Sequence, residues 1–374
     1  MFALTFLAYR MRAIWFNPGL IAYQLAVPLM ASALILRTNL NEGVPGPEHF
    51  EVRQYPRPQL GDGILVQLLV VSADPYMRYR IRSDGDYKAD APMLGLVAGK
   101  VLETNVPEWK VGDLFGAELP YIDIQAVPAS RLRMFRRLTG LVSEENISLG
   151  IGALGMPGST AYGGLTDILR PKSGEVIWVS GAAGAVGSMV GMIAKHVFGC
   201  TVIGSAGGPE KCKLVTERFG FDYCLDYKAC KSTRDLITAL AKLAPSGIDM
   251  YFENVGGMHF EAAMKCLRPN GRVAVCGVIS DYNKPKMTPN QIYISNMIYT
   301  SQRVEGFQCF PWLSGERGNF LQDMAKWVDE GKVKVEETVF DGLESFGSAF
   351  RALFEGGNTG KVVVRVQSSA KSKL

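Results

Sequence analysis

Histidine is scarce in this chain, and the chemistry that depends on it is correspondingly limited. Only His49, His196 and His259 occur in 374 residues, far apart and outside any H-x-x-x-H pair or tight Cys/His cluster. Three or four converging ligands for a zinc ion are therefore not offered, and no metal is expected. C-x-x-C pairs are missing too: the seven cysteines, Cys200, Cys212, Cys224, Cys230, Cys266, Cys276 and Cys309, are odd in number and scattered. That argues against a secreted disulfide framework, suits a reducing, cytoplasmic compartment, and leaves the thiols as small core hydrophobes. Charge is weak as well. A net charge of +4, with no basic run of five or more residues, gives no electrostatic footprint for nucleic acid.

Acidic residues are absent before Glu42, and the stretch from Ala13 to Leu36 carries no charge at all. Three readings remain for this start. The first is a superfluous extension, with Met30 as the true first residue and Ala31 to Arg37 as the first strand. The second is an arginine-containing mitochondrial presequence over residues 1–29, which would move the protein to that organelle. The third is a membrane anchor, long enough to span but interrupted by Asn17, Pro18, Gln24 and Pro28, so no stable membrane insertion is expected.

What is present describes an α/β protein of two domains: 47% hydrophobic residues, 20% charged, and 41 glycines over a length that can bury two cores. From Arg37 to about Pro157, short β-rich runs such as Ile64 to Val71 and Leu94 to Leu102 are broken by Gly and Pro, which suggests an antiparallel barrel. After Met156-Pro157-Gly158 the texture changes. Apolar strands at Glu175 to Ser180, Thr201 to Gly204, Asp222 to Leu225, Ile248 to Glu253, Arg272 to Gly277 and Gln302 to Phe307 alternate with amphipathic helices. That alternation predicts a doubly wound parallel sheet. The tail returns to short strands around a helix at Leu343 to Phe354. The expected division is residues 1–33 as extension, 34–158 and 337–368 as one domain, and 159–336 as a second domain inserted into it.

The strongest chemical signal is Gly181-Ala-Ala-Gly-Ala-Val-Gly187, set between the strand Glu175 to Ser180 and a helix with apolar residues at three- and four-residue steps. Glycines there let backbone approach a pyrophosphate, and the helix N-terminus attracts its charge. An NAD-type carboxylate is missing where the next strand ends, since Ser205-Ala-Gly-Gly208 occupies the place. Lys211 and Lys213 follow as candidate partners for a 2′-phosphate, so the expected cofactor is NADPH.

Further motifs carry a resemblance. S-G-A-A-G-A-V-G-S (180–188), E-K-C (210–212), G-F-D-Y-C-L-D-Y-K (220–228), Y-F-E-N-V-G-G (251–257) and C-G-V-I-S-D-Y-N (276–283) are similar to the zinc-independent medium-chain dehydrogenases/reductases. Within these, the match is to prostaglandin reductases, leukotriene hydroxydehydrogenase and alkenal double-bond reductases. D-P-Y-M-R (74–78), G-M-P-G-S-T-A-Y (155–162) and G-G-N-T-G-K (356–361) extend the likeness over about Leu34 to Val366. It implies a Rossmann sheet inserted into a GroES-like barrel, and reduction of the double bond of α,β-unsaturated ketones or aldehydes. The alternatives are a quinone reductase and a catalytically weak NADPH-binding sensor.

The resemblance also implies NADPH contacts at Gly184, Ala185, Val186, Gly187, Lys211, Tyr227, Asn254, Cys276, Gly277, Val278, Ile279, Ser280, Asp281, Tyr282, Phe307, Gln308, Cys309 and Asn358. An enolate oxygen needs a hydrogen-bond donor, for which a protonated tyrosine suits. Tyr282 is the first choice and Tyr87 the second, with Tyr76 and Tyr299 as further candidates on the substrate side. Zinc alcohol dehydrogenases carry a G-H-E element where this chain reads Leu94-Gly-Leu-Val-Ala-Gly99, without a ligand. Where relatives place aromatic residues after the G-D turn, this chain has Ala117-Glu118-Leu119. A carboxylate there counts against a 15-oxo-prostaglandin-like acid and makes smaller neutral enals and enones at least equal candidates. A homodimer through the Gln302 to Phe307 sheet edge is a further expectation.

Overall fold

The computed structural model describes residues 30–292 and 294–366. Residues 1–29 of the expected 1–33 extension, presequence or anchor, and the last residues of the 337–368 segment, lie outside them, whereas residues 30–33 belong to the first domain, in the strand Met30–Leu36.

Apolar runs at Val176–Val179 (β9), Thr201–Ala206 (β10), Tyr223–Asp226 (β11), Ile248–Glu253 (β12), Leu267–Val275 (β13) and Arg303–Gly306 (β14) make one six-stranded sheet of order β11-β10-β9-β12-β13-β14. Every pairing in it is parallel. The order reverses between β9 and β12, which opens a crevice at the carboxyl ends of those strands. Both faces are covered, as a parallel sheet of near-continuous apolar strands requires. One face packs Ile177, Val179, Val202 and Phe252 against the helices Met156–Gly163 and Ala185–His196. The other packs Trp178, Ile203 and Tyr251 against Thr233–Leu243 and Met258–Cys266.

The first domain is built from long-range, mostly antiparallel pairings. Met30–Leu36 (β1) joins Phe50–Pro56 (β2) and Ala91–Pro92 (β4) in a three-stranded sheet. Ile64–Ser72 (β3), Leu94–Thr104 (β5), Leu114–Pro120 (β6) and Arg136–Arg137 (β8) continue into a larger one, with Ile124–Val127 (β7) also on β3. The chain's tail completes it. Glu337–Asp341 (β15) pairs in parallel with Lys361–Arg365 (β16), and β16 runs antiparallel to β3. Between these two strands the helix Phe346–Glu355 buries Phe346 and Phe350 against Phe50, so the tail shares the first domain's core.

One contact fixes where the two domains meet. The Gly360 N–H, just before β16, donates to the Ala183 carbonyl at 2.8 Å. The tail is thereby tied to the glycine turn itself.

Candidate active site

The turn after β9 depends on glycine for two separate reasons. Gly181 sits at φ +61°, where a side chain would be strained. A Cβ on Gly187 would stand 2.3 Å from the Gly181 carbonyl oxygen, so only glycine lets the helix start this close to the strand. Gly184 caps that helix without a side-chain acceptor, leaving the N–H groups of its first turn for an anion.

A cavity of about 710 Å³ opens on this turn and runs between the domains. That volume is within the range of small-molecule and cofactor sites. The turn supplies Gly184, Ala185, Val186 and Gly187 to its wall, and Lys211, Tyr227, Asn254, Cys276, Gly277, Ile279, Ser280, Asn358 and Tyr76 join them with Tyr282. Sequence reasoning named all of these, and the fold brings them to one surface.

At one end lies a basic corner. A Cβ on Gly207 would stand 2.9 Å from the Tyr227 hydroxyl and 3.1 Å from Lys228 Cε, so only glycine lets these two side chains close over the strand end. Lys211 Nζ donates to the Asn358 carbonyl at 2.6 Å, and burial followed by the nearby Lys228 charge lowers its pKa. An anion between these groups would relieve both effects. Asp226 is the nearest carboxylate on β11, but it accepts from the Gly208 and Lys228 N–H groups at 2.8 and 3.0 Å. Its work is to hold the loop. Lys213 and Lys228 are both exposed and outside the cavity wall, and of the two Lys228, which sequence reasoning did not single out, has its Cε beside Gly207.

At the other end Tyr282 is buried, its ring edge-on to Tyr79 at 4.8 Å. Its hydroxyl oxygen accepts from the Val278 N–H at 3.3 Å, and burial pushes its pKa up to about 12. The hydroxyl proton is not used in that bond. Asn254 is more committed: Nδ2 donates to the Ser180 carbonyl at 2.7 Å and Oδ1 accepts from the Cys276 thiol at 3.0 Å. Each group keeps spare hydrogen-bonding capacity toward the cavity.

Several proposed residues stand elsewhere. Val278, Asp281, Phe307, Gln308 and Cys309 do not line this cavity. Asp281 is held by Lys284 at 2.6 Å, and Phe307 packs edge-on to Phe252 and Trp312. The Tyr87 hydroxyl donates to the Leu94 carbonyl and its ring lies against Arg80, so its proton is committed within the barrel and it does not line the cavity. Glu118 pairs with Arg80 at 3.1 Å and does not line the cavity; Arg80 also holds Asp86 at 2.6 Å, so one guanidinium is shared by two carboxylates. Leu119 points the opposite way on β6, into the core. Tyr299 is 88% exposed on the helix Ile294–Thr300 and contributes nothing to the cavity.

Asp74, Lys361 and His259 are among the wall residues that escaped sequence reasoning. Asp74 and Lys361 form a fully buried ion pair at 3.2 Å, and His259 is 2% exposed, stacked on Trp178 and edge-on to Tyr227. The visible signals were small: Asp74 opens the D-P-Y-M-R motif, and Lys361 precedes the apolar run Val362 to Val364. Among the described residues no group of three or more His, Cys, Asp or Glu side chains could hold a metal ion.

Comparison with known proteins agrees with this architecture. Residues 34–135 match the family described as "N-terminal domain of oxidoreductase", and residues 185–327 match "Zinc-binding dehydrogenase". The NADPH-dependent curcumin reductase of Escherichia coli (strain K12) is 38% identical over 87% of this chain and 94% of its own length. Prostaglandin reductase 1 of Sus scrofa is 36% identical over 86% and 95% of the two chains. The 2-alkenal reductase (NADP(+)-dependent) of Nicotiana tabacum is 38% identical over 83% and 89%. The crystal structure of CurA in complex with NADPH from Vibrio vulnificus superposes with a TM-score of 0.79 at 35% identity, over 90% of this chain and 99% of that one. This chain therefore belongs to the zinc-independent medium-chain dehydrogenase/reductase family of the prostaglandin and alkenal reductases.

Proposed function

We propose that this chain is an NADPH-dependent oxidoreductase that reduces the carbon–carbon double bond of α,β-unsaturated ketones or aldehydes. One observation carries the reading: the Tyr282 hydroxyl, with its proton uncommitted, shares a cavity wall with the glycine turn. Bound NADPH supplies a hydride. Gly184 to Gly187 would hold its pyrophosphate, and Lys211, Lys228 and Tyr227 its 2′-phosphate.

Hydride arriving at the β-carbon leaves negative charge on the substrate's carbonyl oxygen. Tyr282 meets that charge with a hydrogen bond strongest in the transition state, in a buried setting where it is worth more than in water. A phenol pushed up to about 12 stays protonated at neutral pH and donates without surrendering its proton to solvent.

Glu118 lies outside the cavity wall, so 15-oxo-prostaglandin-like acids and smaller alkenals are both admissible substrates. The seven cysteines are free, in keeping with a reducing, cytoplasmic setting, and no helix of the described residues is long and apolar enough to cross a membrane. For assembly, β14 is an edge strand of the parallel sheet, and Ile294, Ile298 and Tyr299 are exposed on the preceding helix. Pairing of two copies along that edge would cover both.

The test is NADPH oxidation over a panel of enones, alkenals and quinones, with and without a chelator. Turnover of enones or alkenals that ignores the chelator supports the reading. Oxidation by quinones alone would make it a quinone reductase, and none across the panel a sensor.

A further inference from the structure

Tyr282 lies on a segment held from two sides. The Ile279 and Ser280 N–H groups donate to the Asn254 and Val255 carbonyls at 3.2 and 3.0 Å, which ties the start of the segment to its own domain. From Asn283 onward the first domain takes hold instead. The Gly43 N–H donates to the Asn283 carbonyl at 2.9 Å, and Arg82 donates from Nη1 to the Lys284 carbonyl at 3.1 Å and from Nη2 to the Pro285 carbonyl at 3.0 Å. Arg78, one turn back, donates from Nε to Asn283 Oδ1 and to the Gly43 carbonyl, both at 3.1 Å, and from Nη1 to the Leu40 carbonyl at 2.7 Å. Between the two arginines, Tyr79 sets its ring edge-on to that of Tyr282.

Stability alone does not account for this arrangement. Arg78 is 0% exposed, its Nη2 is buried without a partner, and burial followed by the Arg82 charge lowers its pKa. A buried cation without a counter-ion costs several kcal/mol, and apolar residues would close the same seam at no such cost. What arginines add is direction. Charge-assisted donors in a planar fork fix a carbonyl more tightly than neutral contacts do. The backbone they fix begins at the residue after Tyr282, and a reacting group misplaced by about 1 Å loses roughly a hundredfold in rate.

We propose that Arg78 and Arg82 are positioning residues for Tyr282: they lock the 283–285 backbone to the first domain, so that a hydroxyl carried by the cofactor domain meets the carbonyl oxygen of an enone bound between the two. The proposal rests on the enone-reduction reading. Neither arginine lines the cavity, so each acts through the tyrosine and not on the substrate. Without the clamp, Tyr282 keeps only the local anchor at Ile279 and Ser280 and the ring contact with Tyr79, and its hydroxyl is no longer held in one place. The consequence is a split. Hydride transfer slows, while NADPH binding, which depends on the glycine turn and the basic corner, is untouched.

The experiment is a double-mutant cycle read by single-turnover NADPH oxidation at saturating enone. Arg82→Met removes both donors from a side chain that is 17% exposed, and Arg82→Gln, which keeps one donor, is the milder second variant. With Tyr282 present, Arg82→Met is expected to slow the step about ten- to a hundredfold and Arg82→Gln less, while Arg82→Lys recovers part of the loss. In the Tyr282→Phe background the same substitutions should change the rate hardly at all, because no hydroxyl is left to misplace. Arg78→Met should follow the same pattern. Circular dichroism and NADPH titration should match the wild type throughout; where Arg82→Met fails to fold, Arg82→Gln decides by the same comparison. An equal loss in both backgrounds overturns the proposal, and so does a folded Arg82→Met that keeps the wild-type rate. A Tyr282→Phe protein that reduces the enone as fast as the wild type overturns the underlying reading instead.

Discussion

Lowering the pH from 7 to 5 should destabilise this protein through one residue behind the basic corner. His259 is 2% exposed, stacked on Trp178 at 5.7 Å, with Nε2 buried and unpartnered. Burial with no compensating acceptor lowers its pKa from 6.5 to about 4. The folded protein thus resists a proton that the unfolded chain accepts, so the stability is fully present above about pH 6.5 and is lost as pH falls toward 4. At roughly 1.36 kcal/mol per unit, the loss is about 2 kcal/mol at pH 5 and saturates near 3.4 kcal/mol below pH 4. The assay is urea unfolding of wild type and His259→Phe at matched pH, with the difference between them cancelling every other titrating group. Phenylalanine keeps the stacking surface and removes the orphaned nitrogen, so the variant should be more stable by about 1–3 kcal/mol at pH 7 and the gap should widen by about 2 kcal/mol at pH 5. Parallel curves from pH 7 to 5 would refute the reasoning. Because the ring also supports Tyr227 edge-on at 5.3 Å, NADPH affinity of the wild type should weaken over the same interval.

Tyr282→Phe should lower kcat for enone reduction by about 10²- to 10³-fold, while NADPH binding, followed by fluorescence, stays near the wild-type value. Unchanged turnover would remove Tyr282 from the chemistry. Lys211→Ala removes a charge-assisted contact worth about 1.5–3 kcal/mol, so NADPH affinity should drop about ten- to a hundredfold and NADH affinity hardly at all; equal losses would count against the 2′-phosphate role. Gly187→Ala drives a Cβ to within 2.3 Å of the Gly181 carbonyl, where Gly184→Ala meets the same atom only at 3.2 Å. Overpacking of this kind costs about 1–3 kcal/mol, and the first variant should lose NADPH binding more than the second. Calorimetric titration ranking them the other way would contradict the geometry.

The parallel sheet was legible because its strands are buried on both faces and so read as continuous apolar runs. Each of the six expected runs overlaps one of β9 to β14, with shifts such as Arg272 to Gly277 becoming part of the longer β13. The first domain was harder. Its pairings join residues far apart, as β16 does with β3, and short runs carry no record of their partners. The same limit governed the site. Gly184 to Gly187 were legible from glycines set between a strand and a helix, whereas the residues around Cys276 came from the family resemblance. Glu118 and Leu119 were misjudged because proximity to a turn does not say which face a strand residue takes, and one position changes it. Nothing local could pair Asp74 with Lys361.

A common cause underlies the residues that sequence reasoning overlooked. Four buried polar atoms without a partner, Trp178 Nε1, Ser205 Oγ, Glu253 Oε2 and His259 Nε2, belong to residues at the carboxyl ends of β9, β10 and β12 or on the helix that follows β12. Glu253 gathers Tyr251, Ser180 and the Val255 and Gly256 N–H groups on its other oxygen, which fixes the loop carrying Asn254. Each orphan costs about 1–3 kcal/mol where an apolar side chain would cost nothing. An apolar layer here would fold more stably, yet it would leave the Asn254 loop and the Tyr227 ring without directional support. Polar groups concentrate where the sheet must present backbone and hydroxyls to a charged ligand, and hydrophobic patterning, which tracks the core, is blind to them.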